Sequence, residues 1–230
     1  MAHTPTDTDK DLDNYEPLYP ELFEFRAQHI CDEFFTTPYK NLVDEPAADI
    51  FTFPFFTAEY CRKLVEECEN HTKIYGGWLG LYDEGKSDED VAYATTDKFL
   101  TDIRYKGTSL FDIHTDYINR FIVKFMQHEW NFTPGWYKPA FVAKYEADSQ
   151  QSALEPHNDA SIATCTIVLS DFEDYTGGGT YYVKQGITLR PGIGNATIFP
   201  GKLTHKHGGL ALESGKRYLC VTWMTDNQHS

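Results

Sequence analysis

No stretch of this 230-residue chain approaches the roughly 18 consecutive apolar residues of a membrane-crossing helix, so a helical membrane protein is not expected. The opening MAHTPTDTDKDLDNYEP lacks the basic and apolar regions of a signal peptide. The chain is therefore expected to be soluble, and its polar, acidic lead suggests an excised piece, from which any targeting signal of a parent protein would be missing. Basic residues are scarce, 20 Lys and Arg against 35 Asp and Glu, and the net charge of -15 argues against a nucleic-acid partner. Five cysteines form no CxxC pair and are odd in number, which removes a zinc ribbon and leaves the redox compartment open. There is no internal repeat and no low-complexity tract. Glycosylation sequons at Asn70, Asn131 and Asn195 matter only in a secretory pathway.

What is present is apolar mass, 41% hydrophobic and 15% aromatic residues, enough for one globular domain. A polar, proline-punctuated arm is expected over residues 1 to 20, followed by a single domain over 21 to 230. Aromatic residues return from Glu21 to Phe35, predicting a short helix, and ADIFTFPFF predicts an extended run leading to a helix capped by Thr57. In that helix Cys61, Leu64, Val65 and Cys68 form one buried stripe. Residues 82 to 93, YDEGKSDEDVAY, read as a charged surface loop, and a second helix is expected from Asp112 to Trp130. From Tyr137 onward short strands, AFVAKY, SIATCTIVL, GTYYV, GITL, NATIF and RYLCVTWM, are separated by TGGG, RPGIG and PGK turns. The expected class is α+β, mainly β, a jelly roll buttressed by N-terminal helices.

The chemistry gathers between Pro156 and Arg217. In an extended strand His157 and Asp159 project from one face, because side chains alternate with period two. An imidazole and a carboxylate on one face, joined by a distant histidine, make the facial triad that holds Fe(II) and leaves three positions open. His205 and His207 both qualify as the third ligand, and strand parity does not separate them. Arg217 opens RYLCVTWM with Leu219, Val221 and Trp223 on its own face, where a buried guanidinium needs an anionic partner. A dicarboxylate co-substrate would meet its planar donor fork, as would a local acidic side chain.

His207 stands ten residues before Arg217, a step that resembles the His to Gly-x-Arg-Tyr spacing of 2-oxoglutarate-dependent oxygenases and favours it over His205 as ligand. PHNDAS, EDYTGGGTYY, PGKLTHKHGGL and GKRY are together similar to the catalytic domain of procollagen lysyl hydroxylases. So are NLVDEPAADIFTFPFFTAEYCRKLVEECENH and YKPAFVAKY, and the resemblance spans about residues 24 to 226. It implies a double-stranded β-helix, Fe(II) on His157, Asp159 and His207, 2-oxoglutarate on Arg217 and Tyr145, ascorbate as reductant, and collagen-like X-Lys-Gly substrates. Thr166 stands where the family has asparagine on the co-substrate wall, Thr180 where it has cysteine, and Asn158 where it has histidine. These departures mark a divergent member, of giant-virus type. The resemblance also implies a homodimer, with the apolar Leu203 of PGKLTH as a contact, and for animal relatives the lumen of the endoplasmic reticulum.

The expected reaction is hydroxylation of lysyl C5 with release of succinate and carbon dioxide. A lysyl ammonium calls for a carboxylate beyond the iron, and Asp174 and the acidic 82 to 93 loop are the candidates. The competing expectations are a prolyl or other peptidyl oxygenase of the same fold, a non-catalytic collagen-binding module, and a cupin isomerase, which would need neither Arg217 nor 2-oxoglutarate.

Overall fold

A computed structural model of the chain describes residues 15–78, 95–149 and 151–226. In chain order the strands are β1 (Asp44–Ala47), β2 (Ile50–Pro54), β3 (Thr96–Phe99), β4 (Arg104–Tyr105), β5 (Thr108–Ser109), β6 (Trp136–Tyr137), β7 (Phe141–Glu146) and β8 (Leu154–His157). There follow β9 (Ala163–Val168), β10 (Tyr175–Gly177), β11 (Thr180–Tyr182), β12 (Ile187–Leu189), β13 (Asn195–Pro200), β14 (His207–Gly209) and β15 (Leu212–Thr225). The helices are α1 (Asp32–Thr36), α2 (Tyr39–Leu42), α3 (Ala58–Tyr75), α4 (Leu110–Tyr117) and α5 (Val123–Trp130).

The larger sheet runs β1-β2-β13-β9-β15-β7-β3, with β10 and β6 also on β15, and the smaller runs β12-β11-β14-β8. The pairings in both are antiparallel, so the chain is mainly β with helices on one side. Strand alternation divides the core. Val142, Ile167 and Cys220 pack on the helices, while Phe141, Ala143, Tyr145, Val168 and Leu219 form a second cluster on the opposite face. Thr57 caps α3 by accepting from the Tyr60 backbone N–H at 3.2 Å. Cys61, Leu64 and Cys68 are buried as the spacing predicts, while Val65 is partly exposed and Glu67 and His71 are buried. The expected second helix starts at Leu110, capped by Ser109 and Asp112, and a π-helical turn, Ile118–Ile122, joins α4 to α5.

Two expectations are corrected. The helix over Glu21 to Phe35 is broken into single turns at Pro20–Phe23 and Ala27–His29 and the short α1. Tertiary hydrogen bonds hold the backbone extended between them: Arg26 N–H donates to the Tyr117 hydroxyl at 2.9 Å, and Cys31 N–H to the Phe55 carbonyl at 2.9 Å. The arm is packed from Tyr15 onward. Buried Glu67 accepts from the Tyr15 hydroxyl and from the Leu18 and Tyr19 backbone N–H groups. Residues 1–14 and the loop 82 to 93 lie outside the described residues.

Candidate active site

β8 ends on His157 and pairs with β14 so that His157 stands opposite His207. The backbone then leaves the strand, and Asp159 is fixed by its N–H, which donates to the Gly201 carbonyl at 3.2 Å. A side chain at Gly201 would have no room, since a Cβ there would fall 2.0 Å from Ser161 Oγ. This close approach seats the PGKLTH turn against Asp159. His157 Nε2 lies 3.3 Å from Asp159 Oδ1 and His207 Nε2 lies 3.7 Å from Asp159 Oδ2. One ligand-capable atom from each of the three lies within 4.8 Å of the others, the one such group among the described residues.

Each imidazole has its Nδ1 against a backbone carbonyl, His157 with Glu155 O at 2.9 Å and His207 with His205 O at 2.9 Å. A carbonyl can only accept, so both Nδ1 atoms carry hydrogen, which leaves each Nε2, turned toward Asp159, as the atom able to ligate a metal once it gives up its proton. Asp159 Oδ2 in turn accepts from Thr164 Oγ1 at 2.6 Å, and Phe199 packs edge-on to the His207 ring at 4.7 Å. Two neutral imidazole nitrogens and a hydrogen-bonded carboxylate are the donor set of a divalent transition metal, and the outer hydrogen bonds are those that orient such ligands. Burial pushes the His157 imidazole down, but the Asp159 carboxylate and the Glu155 carbonyl prevail and its pKa lies above the ordinary value. At His207 burial prevails and the pKa is lowered. Burial opposes ionisation of Asp159, yet the hydrogen bond with His157, the electrostatic interaction with His207 and the Thr164 hydroxyl keep its pKa below the usual carboxylate value.

His205 is not in this group. It is buried with Nδ1 2.8 Å from Thr204 Oγ1 and Nε2 3.0 Å from the Ala48 carbonyl, which it reaches outside any strand.

A cavity of about 780 Å³ opens over the group and separates the two sheets; Thr166, Thr180 and Tyr145 are in its wall, and so are Leu219, Val221 and Trp223. Arg217, only 2% exposed, pairs in register with Tyr145 and lies 5.9 Å from the centre of its ring. Its Nη2 donates to Thr180 Oγ1 at 3.3 Å, while Nε is buried without a hydrogen-bond acceptor, and among the described residues no carboxylate pairs with it. An unpaired buried guanidinium costs several kcal/mol, a cost that a bound anion would offset. The glycine triplet leads the chain to it: Gly178 has φ +66, and a Cβ there would fall 2.7 Å from Leu212 Cδ2 and 3.6 Å from Arg217 Cδ. Burial, eased by Arg217, pushes the Tyr145 phenol up to about 12, so it stays a hydrogen-bond donor.

Asp174 stands apart from the cavity wall. Its Oδ2 accepts from the Asp171 backbone N–H at 2.8 Å in a surface turn. Sequence reasoning missed Thr164 and Phe199 beside the metal group, and Asp97 in the cavity wall. Thr164 could have been read from its place in SIATCT, on the cavity-facing parity of Thr166, whereas nothing local marks an aspartate on an edge strand sixty residues upstream.

No family model matches the chain. Among curated proteins it is 32% identical over 212 residues to human procollagen-lysine,2-oxoglutarate 5-dioxygenase 2, an alignment covering 90% of this chain and 28% of that protein. It is 32% identical over 237 residues to mouse procollagen-lysine,2-oxoglutarate 5-dioxygenase 1, covering 93% of this chain and 30% of the relative. The chain thus spans under a third of the length of these relatives. Among solved structures, a viral collagen prolyl hydroxylase from Paramecium bursaria Chlorella virus-1 aligns with TM-score 0.56 at 15% identity, over 77% of this chain and 96% of that one. A prolyl hydroxylase from Trichoplax adhaerens aligns with TM-score 0.58 at 13% identity, over 77% and 84%. By sequence, over nine-tenths of its own length, the chain is a homologue of the procollagen-lysine 2-oxoglutarate 5-dioxygenases, corresponding to one segment of those longer proteins.

Proposed function

We propose that this chain is an Fe(II)- and 2-oxoglutarate-dependent dioxygenase with a double-stranded β-helix, and that it hydroxylates C5 of lysyl residues in collagen-like X-Lys-Gly sequences. The observation that carries the reading is the convergence of His157 Nε2 and His207 Nε2 on the Asp159 carboxylate, beside a buried Arg217 whose Nε has no acceptor. In this reading 2-oxoglutarate, O2 and the lysyl side chain become succinate, carbon dioxide and 5-hydroxylysine. Fe(II), when bound, supplies the electron and oxygen chemistry that couples decarboxylation to C–H hydroxylation.

The protein's share is placement. His157, Asp159 and His207 would hold the metal, and the cavity beside them would be left to the reactants. The Arg217 fork takes the distal carboxylate of 2-oxoglutarate, and Tyr145 and Thr180 line its berth with hydroxyl groups, with Thr166 further along the wall. Leu219, Val221 and Trp223 exclude bulk water from it. Ascorbate serves as the reductant that restores oxidised iron. A second copy of the chain packs on Leu203, which is 90% exposed at the tip of the PGKLTH turn.

The test is incubation with iron, 2-oxoglutarate, ascorbate and a collagen-like lysyl peptide, followed by mass spectrometry. One oxygen atom added to lysine is expected. Oxidation of proline instead, the activity in the names of the structural neighbours, would move the reading to a prolyl oxygenase. Peptide binding that survives loss of His157 and Asp159, without 2-oxoglutarate consumption, would move it to a collagen-binding module.

A further inference from the structure

Among the described residues the cavity wall holds two carboxylates, Asp159 and Asp97, and the first belongs to the metal group. Asp97 sits on β3, the edge strand of the larger sheet, paired with Ala143 of β7. Alternation turns Thr95, Asp97 and Phe99 toward the cavity, while the intervening Lys98 is buried on the other side. Ala143 and Tyr145 share that cavity face, so Asp97 stands one diagonal step from the tyrosine that pairs with Arg217. Its Oδ1 is out of contact with solvent. Beside it the wall is aromatic: Phe99 meets Phe141 at 5.8 Å between ring centres, and Phe141 meets Trp223 at 5.6 Å.

A guest that suits this wall has an apolar stem and a compact cation at its end, which describes lysine and not proline. If C5 is the reacting carbon, the ammonium lies one carbon beyond it, so its counter-charge must share the cavity with the metal group. Asp174, in a surface turn outside the wall, does not meet that condition.

Resting on the lysyl-hydroxylase reading, we infer that Asp97 receives the ε-ammonium of the substrate lysine and that the Phe99, Phe141 and Trp223 rings hold its methylene stem. Asp97 thereby selects lysine over uncharged side chains.

The experiment compares collagen-like peptides with lysine or norleucine at the target position, binding to the intact chain measured by calorimetry without oxygen and turnover measured separately. The unaltered protein should bind the lysyl peptide about 10- to 100-fold more tightly, the range for a hydrogen bond to a charged group. Asp97→Asn should erase most of that preference, and Asp97→Glu should recover part of it, with thermal melting as the check on folding. Equal binding of the two peptides by the unaltered protein, or an undiminished lysine preference in Asp97→Asn, overturns the assignment. The outcomes separate the two claims: Asp97-dependent lysine preference without lysyl oxidation would leave this inference standing and sink the proposed reaction.

Discussion

His157 and His207 face one another across β8 and β14 with ring centres 4.6 Å apart, each held by an Nδ1 hydrogen bond to the carbonyl two residues before it. The repetition turns both Nε2 atoms toward Asp159, whereas His205 spends both ring nitrogens elsewhere. Replacing His157 or His207 with alanine should therefore weaken iron binding more than 100-fold, as an equilibrium titration of metal would register. His205→Ala should keep the metal and lose about 1 kcal/mol of stability with its bond to Ala48. Tight metal binding by His207→Ala, lost in His205→Ala, would reverse the ligand assignment.

Thr164 contributes through Asp159. Its hydroxyl donates to Oδ2 at 2.6 Å and is itself 2.7 Å from Ser161 Oγ. Thr164→Val keeps the shape and removes the bond, and a 10- to 100-fold loss of metal affinity is expected for such an outer partner. Titration of the valine variant with the same affinity as the parent would show that Asp159 needs no orienting.

Arg217 makes a prediction with two signs. Arg217→Met removes a buried charge that no described carboxylate neutralises, so the unliganded protein should melt at or above the parent temperature. The same variant should fail to bind 2-oxoglutarate, and Arg217→Lys, without the planar fork, should bind it about 10- to 100-fold more weakly. A methionine variant that is both less stable and still competent for 2-oxoglutarate would count against the anion berth.

Acid should weaken the fold before carboxylates titrate. Burial pushes His29, His71 and His114 down to about 4, and all three are buried. Above the ordinary histidine pKa neither state is protonated at these sites and they contribute no pH dependence. Below it the unfolded chain takes up protons that the folded one refuses, so stability falls as pH drops from about 6.5 toward 4, by up to ~1.4 kcal/mol per pH unit for each histidine. His114→Gln should remove one proton's share of that slope, measured by denaturant unfolding between pH 6.5 and 5. A slope unchanged by the substitution would mean that His114 protonates in the folded state as readily as in the unfolded one.

Much of this site could be read ahead of the structure, because period two operates where the backbone is a strand. Leu219, Val221 and Trp223 line the cavity on the parity of Arg217, as expected. Parity failed between His205 and His207 because the chain over 201–206 is a turn, and β14 begins only at His207. Asp97 was hidden for another reason: its role is assigned by pairing with Ala143 across forty-six residues of sequence, and no local pattern reports such a register. The expected helix over Glu21 to Phe35 failed likewise, its propensity overridden by bonds to Tyr117 and Phe55.

Leu203 carries the last prediction. It holds a left-handed backbone, φ 63, while 90% of its surface is exposed, a combination that costs ~1 kcal/mol and leaves an apolar side chain in water. A second copy of the chain would cover that side chain. Leu203→Asp should then convert a dimer into monomers in sedimentation equilibrium, because a carboxylate buried in an apolar contact is strongly disfavoured. Leu203→Gly relieves the backbone and removes the contact, so it should also dissociate the dimer while each monomer unfolds at a higher denaturant concentration. A parent protein that sediments as a monomer at micromolar concentration would end the self-association reading, and the strained leucine would then have to serve something else at the mouth of the PGKLTH turn.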